Sequence, residues 1–349
     1  MLAVDIQPMV TPLAITIALA VFTALIFMFN SNGLSNLQRL VARKPLAEDE
    51  IVSMRVYPIK SCRGFEVQSA KMLRTGLDMD RNWMFVTNSN GEFITIRTNS
   101  RMTLIRTGWD EETDSLTISI KDSDVKVTIP AHPTPEWLDA NTNLRKVVIW
   151  SEETDGWEYK SAISQPFADL LDMDIRLVYK GPTRRILKGC ATPERLGRTE
   201  ATKFADMMPV LVGTMASVNE LNERLRSQGE PELTIEHFRP NIILRGQQPW
   251  SEDNWKTLQI SGENSILSMN VVCRCLRCQV PNVDPDTAEK HPRRPWNELM
   301  KYRRIDQGLK FKPSFGMLCA PKDEGMVKVG MKLSVMETTD NHFFISPMK

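Results

Sequence analysis

Met84-Phe-Val-Thr-Asn-Ser-Asn-Gly-Glu-Phe-Ile-Thr-Ile96 sets two short apolar runs on either side of Asn90-Gly91. Asn and Gly adopt positive φ cheaply, so the dipeptide is expected to close a hairpin between residues 84–86 and 93–96. Residues 116–120 and 125–129 repeat the device around 121–124, and residues 326–336 alternate again around Gly330. Strands with one buried face require such short alternating runs, so the chain from Ile51 onward is expected to be a β-rich α+β body. Helices are fewer. Ser217-Val-Asn-Glu220 has capping-box spacing ahead of Leu221 and Leu225, with Gly229 as the stop. Residues 166–172 and 295–302 are shorter candidates, each opened by a proline suited to a first helical turn. No internal repeat or low-complexity tract is present. Basic, Gly- and Pro-containing sequence at 181–197 interrupts the patterning and is the expected boundary between two β-rich units.

The chain has 349 residues, 42% hydrophobic and 25% charged, enough for one substantial core and more naturally two. Wholesale disorder is excluded. Lys and Arg number 44 against 43 Asp and Glu, so no global field exists to hold a nucleic acid. Six cysteines are too few for a disulfide scaffold in a chain of this length and fit a reducing compartment.

Residues 13–29 carry no charge and are interrupted only by Thr16 and Thr23. As a helix rising about 1.5 Å per residue they extend roughly 26 Å, near the ~30 Å hydrocarbon core of a bilayer. A cleavable secretory leader would be basic, whereas residues 1–10 hold Asp5 and no Lys or Arg. Arg39, Arg43 and Lys44 follow, which by the positive-inside rule leaves the body cytosolic. A buried core helix is the rival reading, opposed by the turn-forming Asn30-Ser-Asn-Gly33. Residues 1–49 are therefore expected to form a single transmembrane signal-anchor helix and linker.

Cys273-Arg-Cys-Leu-Arg-Cys278 is the densest chemical feature. Thiolates are soft metal ligands and neighbouring arginines favour the thiolate. Spacing alone leaves four readings open: zinc completed by Cys62, Cys190, Cys319 or His291, a C-x-x-C redox pair, another metal or cofactor, or inert thiols.

Cys275-Leu-Arg-Cys278 followed by Val283-Asp-Pro-Asp-Thr287 resembles the signature of MOSC-domain proteins, specifically the mitochondrial amidoxime reducing component and its fungal and bacterial relatives. Three further blocks match in that family's order: Val56-Tyr-Pro-Ile-Lys-Ser-Cys-Arg-Gly64, Phe238-Arg-Pro-Asn241 and Ser314-Phe-Gly316. The four blocks span about residues 51–336. The resemblance implies a MOSC-associated N-terminal β-rich domain over 50–185 and a MOSC β-barrel domain over 186–349.

It also implies a molybdenum cofactor, a molybdopterin whose metal takes one protein cysteine, which maps to Cys278. Arg277 would offset charge beside that ligand, and Cys273 and Cys275 would be small packed residues. By the same resemblance Lys60, Ser61, Arg81, Arg239 and Asn241 cradle the pterin and its phosphate, chemistry for which Arg forks and an Asn amide are suited. Leu276, Arg277 and Leu318 line the cofactor pocket. Asp206-Met-Met-Pro209 matches a segment whose acid lies near the metal, so Asp206 is a candidate proton donor or substrate anchor; a helix-entry carboxylate is the bland rival. Met207 and Met208 replace the small hydroxyl residues of the animal pattern, and Ala288 replaces a glycine, which bears on the local turn.

The implied activity is reduction of N-hydroxylated compounds, amidoximes and hydroxylamines among them. No G-x-G-x-x-G marks a nucleotide site of its own, so electrons would come from cytochrome b5 and its NADH-dependent reductase. Arg184, Arg185, Lys188, Arg293 and Arg294 are candidate docking cations for an acidic haem protein. The implied location is the mitochondrial outer membrane with the body facing the cytosol, or alternatively the endoplasmic reticulum. A second class is a cofactor carrier or maturation module like the C-terminal part of molybdenum-cofactor sulfurases, disfavoured because no pyridoxal-dependent region precedes the body. A zinc-stabilised tether is the third.

Overall fold

The computed structural model describes residues 44–262 and 266–346; the apolar run at 13–29 lies outside the described residues. Among the described residues no helix is long and apolar enough to cross a membrane.

Seven strands close into a barrel. In order around it they are Ala47–Val56, Lys332–Thr338, Trp255–Ser261, Ile266–Leu276, Ser314–Pro321, Val210–Thr214 and Ile242–Leu244, which returns to Ala47–Val56. Closure is antiparallel, with Ile51 opposite Leu244 and Met54 opposite Ile242, and Val210–Thr214 pairs in parallel with Ile242–Leu244. A closed ring leaves no bare edge, so short strands such as Ile242–Leu244 are paired on both sides. The apolar alternation Leu267, Met269, Val271, Cys273 puts these side chains inside. Register shifts between Val271 and Cys273 and again between Arg274 and Leu276 then break the alternation and re-aim the end of the strand.

The second part is a four-stranded antiparallel sheet, ordered Trp83–Thr87, Ile175–Lys180, Glu152–Tyr159, Thr142–Ile149, with the helix Ser161–Leu171 against it. A meander of Ile105–Asp110, Ser115–Ile120 and Lys126–Pro130 matches the alternation read at 116–120 and 125–129. The division at 185/186 belongs to the sequence, and pairings cross it: Ala47–Val56 is a stave of the barrel, and Gly325–Lys328 pairs with Ser69–Leu73. One apolar cluster runs from Ile242, Leu258 and Met317 of the barrel to Phe85 and Leu177 of the sheet and Phe167 of its helix.

Several local expectations need correction. The linker was read as running to Asp49, whereas the barrel strand already begins at Ala47. After Asn90-Gly91 the chain makes only a bridge, Val86 to Phe93, because Thr95 then accepts hydrogen bonds from Arg97 and Thr98 and turns the backbone away. The helix Met215–Arg226 is capped by Thr214, whose hydroxyl accepts from Ser217 N at 3.2 Å; Ser217 lies inside it, its hydroxyl donating to buried Glu252 at 2.7 Å. Pro166 stands within Ser161–Leu171 and does not open it. The earlier turn is held by tertiary contact, since Leu177 N donates to the Ser164 hydroxyl at 2.8 Å. Pro295 does precede the helix Trp296–Tyr302.

Candidate functional site

Where the barrel meets the four-stranded sheet, a cavity of about 350 Å³ opens, lined by Lys60, Ser61, Arg81, Asp206, Met207, Met208, Arg239, Asn241, Leu276, Arg277, Cys278 and Leu318. The residues that the family resemblance nominated for the cofactor and for catalysis thus all reach one wall or another of a single cavity.

One wall is a cradle of three non-glycine residues in the left-handed region: Ser61 at φ 68°, Arg81 at 50° and Arg239 at 56°. Each such conformation costs of order 1–3 kcal/mol and persists only where its surroundings over-determine it. Tyr57 is the organiser. Its carbonyl accepts from Arg81 N at 2.9 Å, and both guanidiniums lie over its ring, at 4.6 Å for Arg81 and 4.3 Å for Arg239. Arg239 Nη2 donates to Cys62 O at 2.7 Å, and buried Asp80 accepts from Tyr57 N, Asn241 Nδ2 and Arg81 Nη1. The Asn241 amide is occupied by the protein: Nδ2 on Asp80 and Arg55 O, and Oδ1 accepting from Leu211 N at 3.1 Å. Asn241 therefore braces the cradle.

The opposite wall is electrostatic. Buried Lys60 donates to Phe204 O at 2.9 Å and contacts Asp206. Burial pulls its ammonium down to about 8, Asp206 opposing. Burial would push the Asp206 carboxyl up, yet Lys60 and Arg97 outweigh it and hold the group well below the usual carboxylate range. Arg97 Nη2 sits 2.8 Å from Asp206 Oδ2, and Trp150 Nε1 donates to Asp206 Oδ1 at 3.1 Å.

Cys278 ends the chain path that begins in Ile266–Leu276. Cys273 is fully buried, as a packed residue, but Cys275 lines the cavity and accepts from Arg277 Nη1 at 3.0 Å. The other Arg277 fork goes to Phe238 O at 3.0 Å. Arg97 lines the cavity together with Cys278. Gly316, at φ 76°, lets its strand approach the neighbouring one closely; a Cβ there would stand 2.7 Å from Val212 O. Among the described residues no three His, Cys, Asp or Glu side chains converge as a closed metal site, which leaves the zinc reading without a ligand set.

The MOSC N-terminal beta barrel domain matches residues 48–174 and the MOSC domain residues 199–334. Mitochondrial amidoxime-reducing component 1 of Mus musculus is 30% identical over 291 residues, covering 80% of each chain. The chain belongs to the MOSC family of the mitochondrial amidoxime-reducing components. Component 2 of Homo sapiens is 29% identical over 294 residues, covering 80% of this chain and 81% of its own. A molybdenum cofactor sulfurase of Arabidopsis thaliana is 30% identical over 281 residues, 76% of this chain and 33% of that one.

In this MOSC cavity the contributors that reach Asp206 without any sequence signal are Arg97 and Trp150. Neither belongs to a motif, and only the fold carries them to Asp206; Arg97 also lies over the Trp150 ring at 4.9 Å. Ala288, at φ 61°, holds the turn a glycine was expected to need, because Asp284 Oδ1 accepts from Asp286 N and Thr287 N. Of the docking cations, Arg185 is withdrawn: it is 5% exposed and donates to Lys203 O and Ala205 O, bracing the segment before Asp206. Lys188 pairs with Glu152 and Arg294 with Glu230.

Proposed function

We propose that this MOSC protein holds the molybdenum cofactor through Cys278 and reduces N-hydroxylated compounds. The observation that carries the reading is one cavity in which a thiol faces a strained cationic cradle. Arg239, Arg277 and Lys312 line it without a carboxylate partner among the described residues, and Arg277 Nε is buried without a hydrogen bond. Such a wall fits an anionic, acceptor-rich group. Cys278 would hold the metal, Ser61, Arg81 and Arg239 the phosphate, and Met207, Met208, Leu276 and Leu318 the pterin's flat flank. When bound, the cofactor supplies two-electron chemistry at an oxygen atom.

The overall conversion breaks the N–O bond of an amidoxime: with two electrons and two protons it yields an amidine and water. Asp206, held ionised, is an anchor and not a proton source. Lys60 carries the proton at that contact, and with its ammonium near 8 it is charged at neutral pH and can release it. We assign the electrons to cytochrome b5, itself reduced by its NADH-dependent reductase, and the location to the mitochondrial outer membrane through residues 13–29, with the endoplasmic reticulum as the alternative. Similarity to the sulfurase supports a second reading, a cofactor carrier or maturation module.

The test is molybdenum and pterin content of the purified chain together with benzamidoxime reduction by a chemical donor. Molybdenum near one per chain with turnover supports the reductase. Molybdenum without turnover, but with transfer to a cofactor-free enzyme, supports the carrier. Zinc without molybdenum rejects both.

A further inference from the structure

A second cavity, about 340 Å³, meets the first at Cys278. Arg97, Val280 and Lys312 line both, whereas Ser61, Arg81, Arg239 and Asn241 line only the first, and Lys290 and Trp296 only the second. The thiol therefore stands at the neck between a cradle built for a large anion and a chamber with different walls. The chamber's size is that of a small-molecule site. Its indole is fixed, with Trp296 Nε1 donating to Arg277 O at 3.2 Å and Trp296 N to Asn282 Oδ1 at 3.0 Å. Its far side is fixed as well, because Val283 and Lys290 form a bridge that closes the loop between them.

The charges are one-sided. Among the described residues no carboxylate lines this chamber. Arg97 shares Asp206 with Lys60, and Lys290 and Lys312 have no ion-pair partner among the described residues. An amidoxime is neutral near pH 7, whereas its amidine product is a protonated cation. The two ligands share a shape and differ by one charge.

We propose that this chamber is the substrate site, and that Lys290 and Lys312 make it selective for neutral or anionic N-hydroxylated compounds while expelling the amidinium product. The indole of Trp296 supplies the flat apolar surface for the substrate body, and the two ammonium groups set the sign of the field. The same pair of lysines thereby leaves the neutral substrate unopposed and drives release of the cationic product. This inference rests on the reductase reading and deepens it.

The experiment is calorimetric binding of benzamidoxime and of benzamidine to the oxidised, cofactor-loaded full chain, without any electron donor. The wild type is expected to bind benzamidoxime about tenfold more tightly than benzamidine, a gap that one exposed and one half-buried charge can supply. The K290E/K312E variant should close or reverse that gap, and raising the salt concentration should narrow it in the wild type. If charge reversal prevents folding, K290A/K312A and the salt series still decide the matter. W296A should weaken benzamidoxime binding, with W296F restoring it. Equal affinities in the wild type, or a gap indifferent to both salt and the lysine variants, overturn the proposal. Because no turnover is measured, a protein that never reduces amidoximes leaves this result intact, and an active reductase with an unchanged gap refutes the chamber alone.

Discussion

Arg97 Nη2 and Asp206 Oδ2 lie 2.8 Å apart, closing 109 residues of chain. The pair joins the loop after Asn90-Gly91 to the segment that enters the barrel at Val210. The same guanidinium lies over the Trp150 ring and lines the cavity with Cys278, so one side chain ties the carboxylate to the wall that carries the thiol. Removing it uncouples the two halves of the cavity.

Arg97→Ala should therefore lower kcat/KM for benzamidoxime by about 10- to 100-fold, the range for a group that orients a ligand without being one. Molybdenum content should fall with it, and Arg97→Lys should recover part of both, since a point charge replaces a fork. Steady-state kinetics beside metal analysis checks this. An alanine variant with unchanged rate and metal content excludes the role.

The proton at Lys60 makes a pH prediction. Its ammonium sits near 8, below the usual lysine value, so the proton is present below about 8 and lost above. Activity should fall as pH rises through that value. Asp206 holds the ammonium up, so Asp206→Asn should move the falling limb to lower pH. A pH–rate profile of wild type and variant is the measurement, and an unmoved limb removes Lys60 from the proton path.

Glu252 should show itself in stability. It is buried beside Ser217 and Thr214, and burial raises its carboxyl to about 7, the Ser217 hydrogen bond opposing. Between the ordinary value of 4.5 and about 7 the folded state holds more protons than the unfolded. The contribution is greatest below that window and is lost as pH rises through about 7, about 3 kcal/mol in all. Glu252→Gln keeps the acceptor and removes the titration, so urea unfolding should show its stability relative to wild type growing with pH across the window. A constant difference contradicts the assignment.

The sequence disclosed what local pattern can carry. Lys60, Arg239, Asn241 and Cys278 sit in the ordered motifs, and with Arg81 they line one cavity. Alternation at 116–120 and 125–129 marked two strands that pair with each other. Pairing between distant segments was not legible, because period-2 alternation names a face and no partner. Hence Ala47–Val56 could not be read as a barrel stave beside Ile242–Leu244. Arg97 and Trp150 escaped for the same reason, being single loop residues whose chemistry exists only once Asp206 is brought to them. Ser217 misled because capping-box spacing recurs one turn inside a helix that Thr214 already caps.

X-ray absorption at the molybdenum edge, on the purified wild type and the Cys278→Ser variant, tests whether this thiol is a sulfur ligand of the metal. One fewer sulfur neighbour is expected in the variant than in the wild type, with the body still folded. A wild-type metal surrounded by oxygen and nitrogen alone, or the same sulfur count in both proteins, would contradict it.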